Sequence, residues 1–226
     1  MDALSIVISL FVLLFAITIH EASHAWAANR MGDATAMSMG RVSLNPLAHI
    51  DPVGTVLLPL LLVLAGAPAF GWAKPVIVNP YNLKNPRRDN LWISLAGPAA
   101  NLTAAAVALV SILILKLLSP GLTGFLRNFL VYKQGFARGF YPLEGLALVL
   151  FYAVLINTYL AVFNLIPIPP LDGGGVLSGL LSDEAARRLD RIRPFGFIIV
   201  LVLIYLGFLD IVIRPIQLFI FTLIFF

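Results

Sequence analysis

The chain lacks cysteine and has few charged residues, and both absences narrow what it can be. Without cysteine, its 226 residues can form no disulfide framework, no thiolate metal site and no cysteine nucleophile. Charged residues make up 12% of the chain and hydrophobic residues 60%, and the mean hydropathy is +0.97. Soluble domains of this size do not have that balance, so the composition predicts a protein that crosses a membrane several times.

The charge that is present is basic, with a formal net charge of +4. Lys and Arg occur mainly in short segments between apolar stretches, so orientation in a bilayer explains them better than nucleic-acid binding does. We therefore expect a lipid bilayer, and no nucleic acid, among the partners. The first apolar segment begins Met1-Asp2 without a basic leader region, so we expect no cleaved signal peptide.

Several apolar stretches approach the roughly 20 residues that a helix needs to cross a bilayer. The four predicted spans are residues 3–28, 91–118, 143–166 and 195–213. Residues 53–65 are apolar but short for a crossing. The tail, residues 216–226, either extends the fourth span beyond Arg214-Pro215 or lies at the membrane interface.

The segments between the spans differ in character. Residues 70–90 are rich in Pro, Asn and Gly and contain a β-branched patch at 76–78, which favours strands or loops. Residues 119–142 are predicted to be a loop, and the charged residues 176–193 a surface helix. The fold class is therefore an all-α multi-pass membrane protein with about four to five transmembrane helices, a re-entrant segment and a small membrane-associated β/loop region. We expect residues 1–226 to form a single domain.

One motif puts ionisable side chains inside the first apolar helix: His20-Glu21-Ala22-Ser23-His24. Because a helix turns every 3.6 residues, His20 and His24 lie on one face and can bind one metal ion, with Glu21 beside them. This spacing is typical of zinc hydrolases. The alternative is that these side chains merely close a hydrophobic helix at the headgroup level. We favour the metal site, because ionisable groups at membrane depth are by default functional.

Catalytic zinc generally takes three protein ligands and keeps one position open. Asp172 is the best candidate for the third ligand, because it follows a proline-broken backbone at the end of a membrane span. Such backbone is tolerated at membrane depth only where protein or a polar cavity surrounds it. A role for Asp172 as a helix N-cap alone is the alternative. His49, the third histidine, is left out of the ligand set; it is either a loop residue or a neighbour of the ligands.

The ligand assignment constrains the topology. His20 and His24 lie near the C-terminal end of the first span, and Asp172 lies just past the C-terminal end of the third. Both spans must therefore run in the same direction, with an odd number of crossings between them. Residues 91–118 supply one crossing, and residues 53–65 should therefore be re-entrant or lie at the membrane margin.

Basic residues test this arrangement independently. Ten fall on the metal-site side and five on the other, which predicts a cytoplasmic metal site with the N-terminus outside, in the plasma membrane. The ten are Arg30, Arg41, Lys74, Lys84, Arg87, Arg88, Arg187, Arg188, Arg191 and Arg193; the five are Lys116, Arg127, Lys133, Arg138 and Arg214.

Four motifs together resemble the site-2 protease family of intramembrane zinc metalloproteases. They are HEASH at 20–24, NPLAHIDPVGT at 45–55, SLAGPAAN at 94–101 and NLIPIPPLDGG at 164–174. The resemblance implies one Zn²⁺ per chain bound by His20, His24 and Asp172, Glu21 as the general base, and Asn164 as an active-site residue near the substrate carbonyl. It also implies a transmembrane protein substrate held by the segment at 70–90. We expect these 226 residues to contain none of the PDZ or CBS domains of larger members.

The predicted function is accordingly that of a zinc metalloendopeptidase that cuts peptide bonds within or near transmembrane segments. A metal-ion transporter is an alternative, but the repeated halves typical of transporters are not visible. Iron held for oxygen chemistry is another, although it leaves Glu21 without a role. A catalytically silent membrane scaffold of the same fold is a third. The substrate and the oligomeric state are left open.

Overall fold

The computed structural model describes residues 3–57, 61, 73–132 and 141–226, and these residues are almost entirely helical with no strand among them. The principal helices are α1 (Ala3–Arg30), α2 (Pro86–Leu118), α3 (Gly121–Leu130), α4 (Pro142–Asn164), α5 (Asp172–Leu180), α6 (Asp183–Ile192), α7 (Gly196–Tyr205) and α8 (Phe208–Phe225). Short helical turns occur at Thr35–Ser38, Pro46–Ala48, Pro52–Leu57, Pro80–Asn82 and Arg193–Phe195.

Four described helices are long and apolar enough to cross a membrane: α1, α2, α4 and α8. Their outward faces carry large exposed hydrophobic side chains, such as Phe11 and Val107, which suits contact with lipid rather than water. The predicted fold class, an all-α multi-pass membrane protein, is therefore confirmed.

Helices α1, α2 and α4 form the central bundle, and their contacts give their relative directions. Two sets of neighbours mark two levels of the bundle: Ile8, Ile112 and Leu148 share one apolar cluster, and His20, Asn101 and Asn157 are joined by hydrogen bonds. Moving from the first level to the second, residue numbers rise in α1 and α4 and fall in α2. Helices α1 and α4 thus run in the same direction and α2 runs against them, as the shared ligand site of His20, His24 and Asp172 requires.

Helix α2 begins five residues before the predicted span. Pro86 occupies its first turn, where the missing N–H costs nothing. The Asp89 carboxylate accepts a hydrogen bond from the Asn85 backbone N–H at 2.8 Å, which stabilises the start of the helix. Residues 86–90 were expected to be strand or loop, and that expectation is wrong because the local start signals extend the helix.

The predicted loop at 119–142 is also wrong in part, because it contains α3. Leu122, Leu126 and Phe129 recur at helical spacing on one face of α3, and all three are buried in the central apolar cluster. Residues 133–140 lie outside the described part of the chain. The periodicity of these three side chains, rather than the glycines between them, decides the local structure.

The C-terminal region breaks at a different residue from the one predicted. Gly207 has a φ of 77°, a left-handed conformation that ends α7 and that glycine adopts without strain. Helix α8 then continues through Pro215 to Phe225, and its Ile220 and Ile224 are buried. A single span over 195–213 is therefore wrong. The apolar tail that begins at residue 216 belongs to α8, the last membrane-crossing helix. Helix α8 can include Pro215 because proline is tolerated within membrane helices.

The charged segment expected as one helix at 176–193 belongs to two. Helix α5 begins at Asp172, and α6 begins after Ser182, whose hydroxyl accepts a hydrogen bond from the Ala185 N–H. The expected pair of Glu184 and Arg188 is formed on the surface of α6.

Two further predictions concern segments that the structure describes in part. The re-entrant stretch at 53–65 is described only at residues 53–57 and 61. In the predicted β/loop region at 70–90, the described residues 73–90 contain no strand: 73–79 are loop, and Pro80–Asn82 and the start of α2 are helical.

Asp33 ties the end of α1 to the loop that precedes α2. Its carboxylate is fully buried. One oxygen, Oδ1, accepts hydrogen bonds from the Thr35 N–H, the Thr35 hydroxyl and the Asn82 amide, and Oδ2 accepts one from the Asn79 N–H at 2.7 Å. Burial alone would raise the pKa of Asp33, but the hydrogen bonds from Thr35, Asn82 and Asn79 lower it below 3.8.

Replacing this carboxylate should destabilise the protein in a pH-dependent manner. In Asp33→Asn an amide N–H must face either the Asn79 N–H or the Thr35 and Asn82 donors, so we expect the free energy of unfolding to fall by about 1–3 kcal/mol at pH 7. Because the folded pKa is lowered, this stabilisation is present above the unfolded pKa and is lost as pH falls through the folded pKa.

Thermal unfolding in detergent at pH 7 and at pH 3 checks this expectation. The difference between Asp33→Asn and the native chain should narrow at the lower pH, and a difference independent of pH would contradict the role given to the carboxylate. Asp210→Asn, at an exposed carboxylate, is the control.

Candidate metal centre

Helix α1 and the start of α5 bring three metal-binding atoms together. His20 Nε2 and His24 Nε2 are 3.1 Å apart, and Asp172 Oδ2 is 3.0 Å from the first and 3.3 Å from the second. Tetrahedral zinc with bonds of about 2.0–2.1 Å separates its donors by about 3.3 Å. The three distances are close to that value, so these residues can hold one zinc ion.

Hydrogen bonds at the other ring nitrogens determine where the histidine protons lie. His20 Nδ1 is 2.6 Å from Asn101 Oδ1, and His24 Nδ1 is 2.7 Å from the Ile93 carbonyl oxygen. Both oxygens only accept, so each Nδ1 carries the proton and each Nε2 presents a lone pair. Two lone pairs facing each other across 3.1 Å repel unless a cation lies between them.

The carboxylate of Asp172 gives a second reason to expect a cation at this site. Its Oδ2 is buried and has no hydrogen-bond donor among the described residues. A buried carboxylate oxygen without a donor is costly unless an ion satisfies it. The predicted alternative, a helix N-cap, is not realised, because Leu171 occupies the cap position and Asp172 is the first residue of α5.

Glycines allow α5 to reach the histidines. A Cβ at Gly173 would overlap the Leu165 and Ile166 carbonyl oxygens, and one at Gly175 would overlap the Ser94 side chain. The helix that carries Asp172 therefore packs directly against the backbone of the proline-broken segment and against α2. Only hydrogen fits at these positions, which is the physical reason for the run of three glycines.

Gly97 of α2 also allows a close approach, in this case to the two imidazoles. A Cβ at this position would lie 2.7 Å from His20 Cε1 and would also collide with His24 Nε2. Helix α2 thus passes close enough to confine both rings, and the side chain at 97 must be absent. The sequence showed a stripe of small residues here, but not that it faces the metal site.

A cavity of about 480 Å³ opens beside the three ligands. Glu21, half-buried, lines it together with His20, His24 and Asp172, which is the arrangement that the HExxH spacing predicts. Asn164 also lines the cavity, and its Nδ2 donates one hydrogen bond to the Leu160 carbonyl oxygen within α4.

Residues outside the predicted ligand set also line the wall of the cavity. Pro75, Val76 and Val78 come from the loop before α2, the region in which the resemblance predicts a substrate-holding segment. Arg193 contributes a cation to the same wall. The polar signal at Arg193 was visible in the sequence, but only the fold brings it to the metal ligands.

His49 does not join the metal ligands. It is buried in the loop after α1, and its Nε2 donates to the Ser43 carbonyl oxygen at 2.9 Å. Its own carbonyl oxygen accepts a hydrogen bond from the Lys74 N–H. Among the described residues, the group of possible metal ligands consists of His20, His24 and Asp172.

A zinc site of this kind, at the meeting point of membrane-crossing helices and with a glutamate in the same cavity, defines an intramembrane zinc metalloprotease. Comparison with known proteins agrees. The sequence profile of Peptidase family M50 matches residues 8–206, and the chain belongs to that family. The predicted resemblance to the site-2 proteases is thereby confirmed.

Individual relatives support the same assignment. YwhC of Bacillus subtilis (strain 168), named provisionally as a zinc metalloprotease, is 33% identical over 196 residues, covering 84% of this chain and 77% of YwhC. Rip2 of Mycolicibacterium smegmatis, named in the same way, is 32% identical over 197 residues, covering 84% of this chain and 64% of Rip2. No solved structure matches the chain significantly.

Proposed function

We propose that the chain hydrolyses peptide bonds within or near the transmembrane segments of other membrane proteins, with one zinc ion per chain held by His20, His24 and Asp172. The main observation behind this proposal is that two unprotonated imidazole nitrogens and a buried carboxylate oxygen lie close together in a cavity that Glu21 also lines. Membership of Peptidase family M50 supports it. The comparisons favour neither a silent scaffold nor a transporter.

The chemistry divides between the metal and the side chains around it. Zinc, when bound, supplies an activated water and polarises the scissile carbonyl. Glu21 is the proposed general base: its carboxylate accepts the proton of the attacking water and then donates it to the nitrogen of the leaving amine. Asn164 is proposed to lie near the substrate carbonyl, because its amide retains a second hydrogen beyond the one given to Leu160.

A comparison of membrane proteomes tests the function. Cells that carry Glu21→Gln in place of the native chain should accumulate at least one intact membrane protein that is shorter, or absent, when the native chain is present. Restoring the native chain should restore the cut. If no membrane protein changes in length between the two, peptide hydrolysis is the wrong reaction.

We further propose that residues 1–226 form one domain in the plasma membrane, with the metal site towards the cytoplasm. With Arg214 inside the crossing helix α8, the distribution of basic residues becomes ten against four, which supports this orientation. Because the chain has no cysteine, single introduced cysteines can test it. Tyr132→Cys, beyond α3, should react with an impermeant maleimide in intact cells, and Arg191→Cys, on α6, only after permeabilisation. The reverse pattern would invert the topology.

A further inference from the structure

We propose that Asn101 and Asn157 are positioning residues that hold His20 in the tautomer whose bare Nε2 faces the metal. The proposal rests on the proposed zinc site and assigns a task to two amides that lie outside it. Both are on neighbouring helices, Asn101 on α2 and Asn157 on α4, and both are buried, with exposures of 0% and 4%. Neither amide lines the cavity.

The two amides form a continuous chain of hydrogen bonds that ends on His20. Asn157 Nδ2 donates to the Ala153 carbonyl oxygen at 2.9 Å, and Asn157 Oδ1 accepts from Asn101 Nδ2 at 2.8 Å. Asn101 Nδ2 also donates to the Ala16 carbonyl oxygen at 3.0 Å. Asn101 Oδ1 is then left facing His20 Nδ1 at 2.6 Å.

The backbone carbonyl groups at the ends of this hydrogen-bond series determine which atom is the donor and which the acceptor in every bond. The carbonyl oxygens of Ala153 and Ala16 can only accept, so each must face an amide N–H. That requirement turns the oxygen of Asn157 towards Asn101 and the oxygen of Asn101 towards the imidazole. His20 Nδ1 must therefore carry the proton, and Nε2 is left free for the metal.

The two ligand histidines differ in how this is achieved. His24 is oriented by the Ile93 carbonyl oxygen, a backbone group that no substitution of the side chain at 93 removes. His20 is oriented by a side chain, so its tautomer depends on residue 101. An Asn pair could instead serve only to join three helices in the membrane. These two roles predict different results, because joining helices does not require a particular histidine tautomer.

Zinc affinity of the purified full chain, measured by competition with a chelator, is the first readout. Asn101→Leu removes the acceptor and should weaken zinc binding about 10–100-fold, the effect of losing an outer-shell partner. Asn157→Leu should weaken it less, because Asn101 keeps its bond to Ala16. Asn101→Asp should have a zinc affinity between those of the native chain and Asn101→Leu: one carboxyl oxygen still faces His20 Nδ1, but the other replaces the amide that donates to Ala16 and Asn157. Thr18→Val is the matched control, since Thr18 is buried on α1, as His20 is, and its hydroxyl donates within that helix to the Leu14 carbonyl oxygen.

The second readout is the position of the imidazole proton in the metal-free protein. The chain has three histidines, so ¹⁵N-histidine spectra, recorded at a pH where the rings are neutral, can be assigned with single His variants. The native chain and Asn101→Asp should show His20 with the proton on Nδ1. Asn101→Leu should show a mixture of tautomers at His20, with His24 unchanged.

Three results would overturn the proposal. They are native zinc affinity in Asn101→Leu, an unaltered His20 tautomer in that variant, and an equal loss of affinity in Thr18→Val, which would indicate packing alone. If Asn101→Leu does not fold, Asn157→Leu replaces it, and native zinc affinity in Asn157→Leu would then overturn the proposal. Neither readout uses proteolysis. A native chain that binds zinc without cutting would contradict the proposed function and leave the positioning role standing.

Discussion

Glu21→Gln should stop peptide hydrolysis while leaving zinc bound. Glutamine has nearly the same size as glutamate, but its amide cannot accept the proton of the attacking water. General acid–base catalysis contributes about 10²–10⁴-fold to such reactions, so we expect the cleavage rate to fall by at least that factor. Glu21 lies outside the group formed by His20, His24 and Asp172, so the metal content should not change.

The measurement is cleavage of a transmembrane peptide by the purified chain in liposomes, together with zinc content by elemental analysis. Glu144→Gln is the matched control, because Glu144 is at the start of α4, at the opposite end of that helix from Asn164. Its glutamine variant can still accept the hydrogen bond from the Tyr141 N–H. Substantial cleavage by Glu21→Gln would remove the general-base role, and loss of zinc would instead make Glu21 a ligand.

Much of the metal centre could be predicted because its signals are local. The spacing of His20 and His24 alone places both rings on one face of a helix. Asp172 required a longer argument, that broken backbone at membrane depth must face a polar site, together with the requirement for parallel spans. The structure brings these three residues together. The depth at which they meet follows from the directions of α1, α2 and α4.

The surroundings of the centre could not be predicted in the same way. Asn101 and Asn157 are visible in the sequence as polar residues within apolar spans. Which atom Asn101 meets depends on the rotation of α2, and a helix that is apolar on nearly all sides carries little periodicity to fix that rotation. The contact with His20 is therefore a property of the packed bundle.

Some helix boundaries could likewise be predicted from the local sequence, and others could not. Pro215 was expected to interrupt the last span, yet α8 passes through it, and the break falls at Gly207. In water a proline within a helix is strongly disfavoured, whereas membrane helices tolerate it. The periodicity of Leu122, Leu126 and Phe129 in α3 was present in the sequence, and a search for period 3.6 across the predicted loop would have found it.

Asp172→Ala should abolish tight zinc binding, and with it all cleavage. Two imidazoles would remain, and the site would lose the ligand atom that has no other partner in the described structure. Loss of an outer-shell partner already costs about 10–100-fold in metal affinity, so loss of a ligand should cost more than about 100-fold. Competition with a chelator, using the native chain and Asp210→Ala as references, measures this loss.

Asp172→Asn separates the geometry of this ligand from its charge. The amide oxygen can occupy the place of Oδ2, but the ion would then lie among neutral ligands in a buried site. A buried divalent charge without a compensating carboxylate is unfavourable at low dielectric. We therefore expect Asp172→Asn to behave nearly as poorly as Asp172→Ala. Native affinity in the Asn variant would mean that Glu21 supplies the compensating charge, and native affinity in the Ala variant would exclude Asp172 as a ligand.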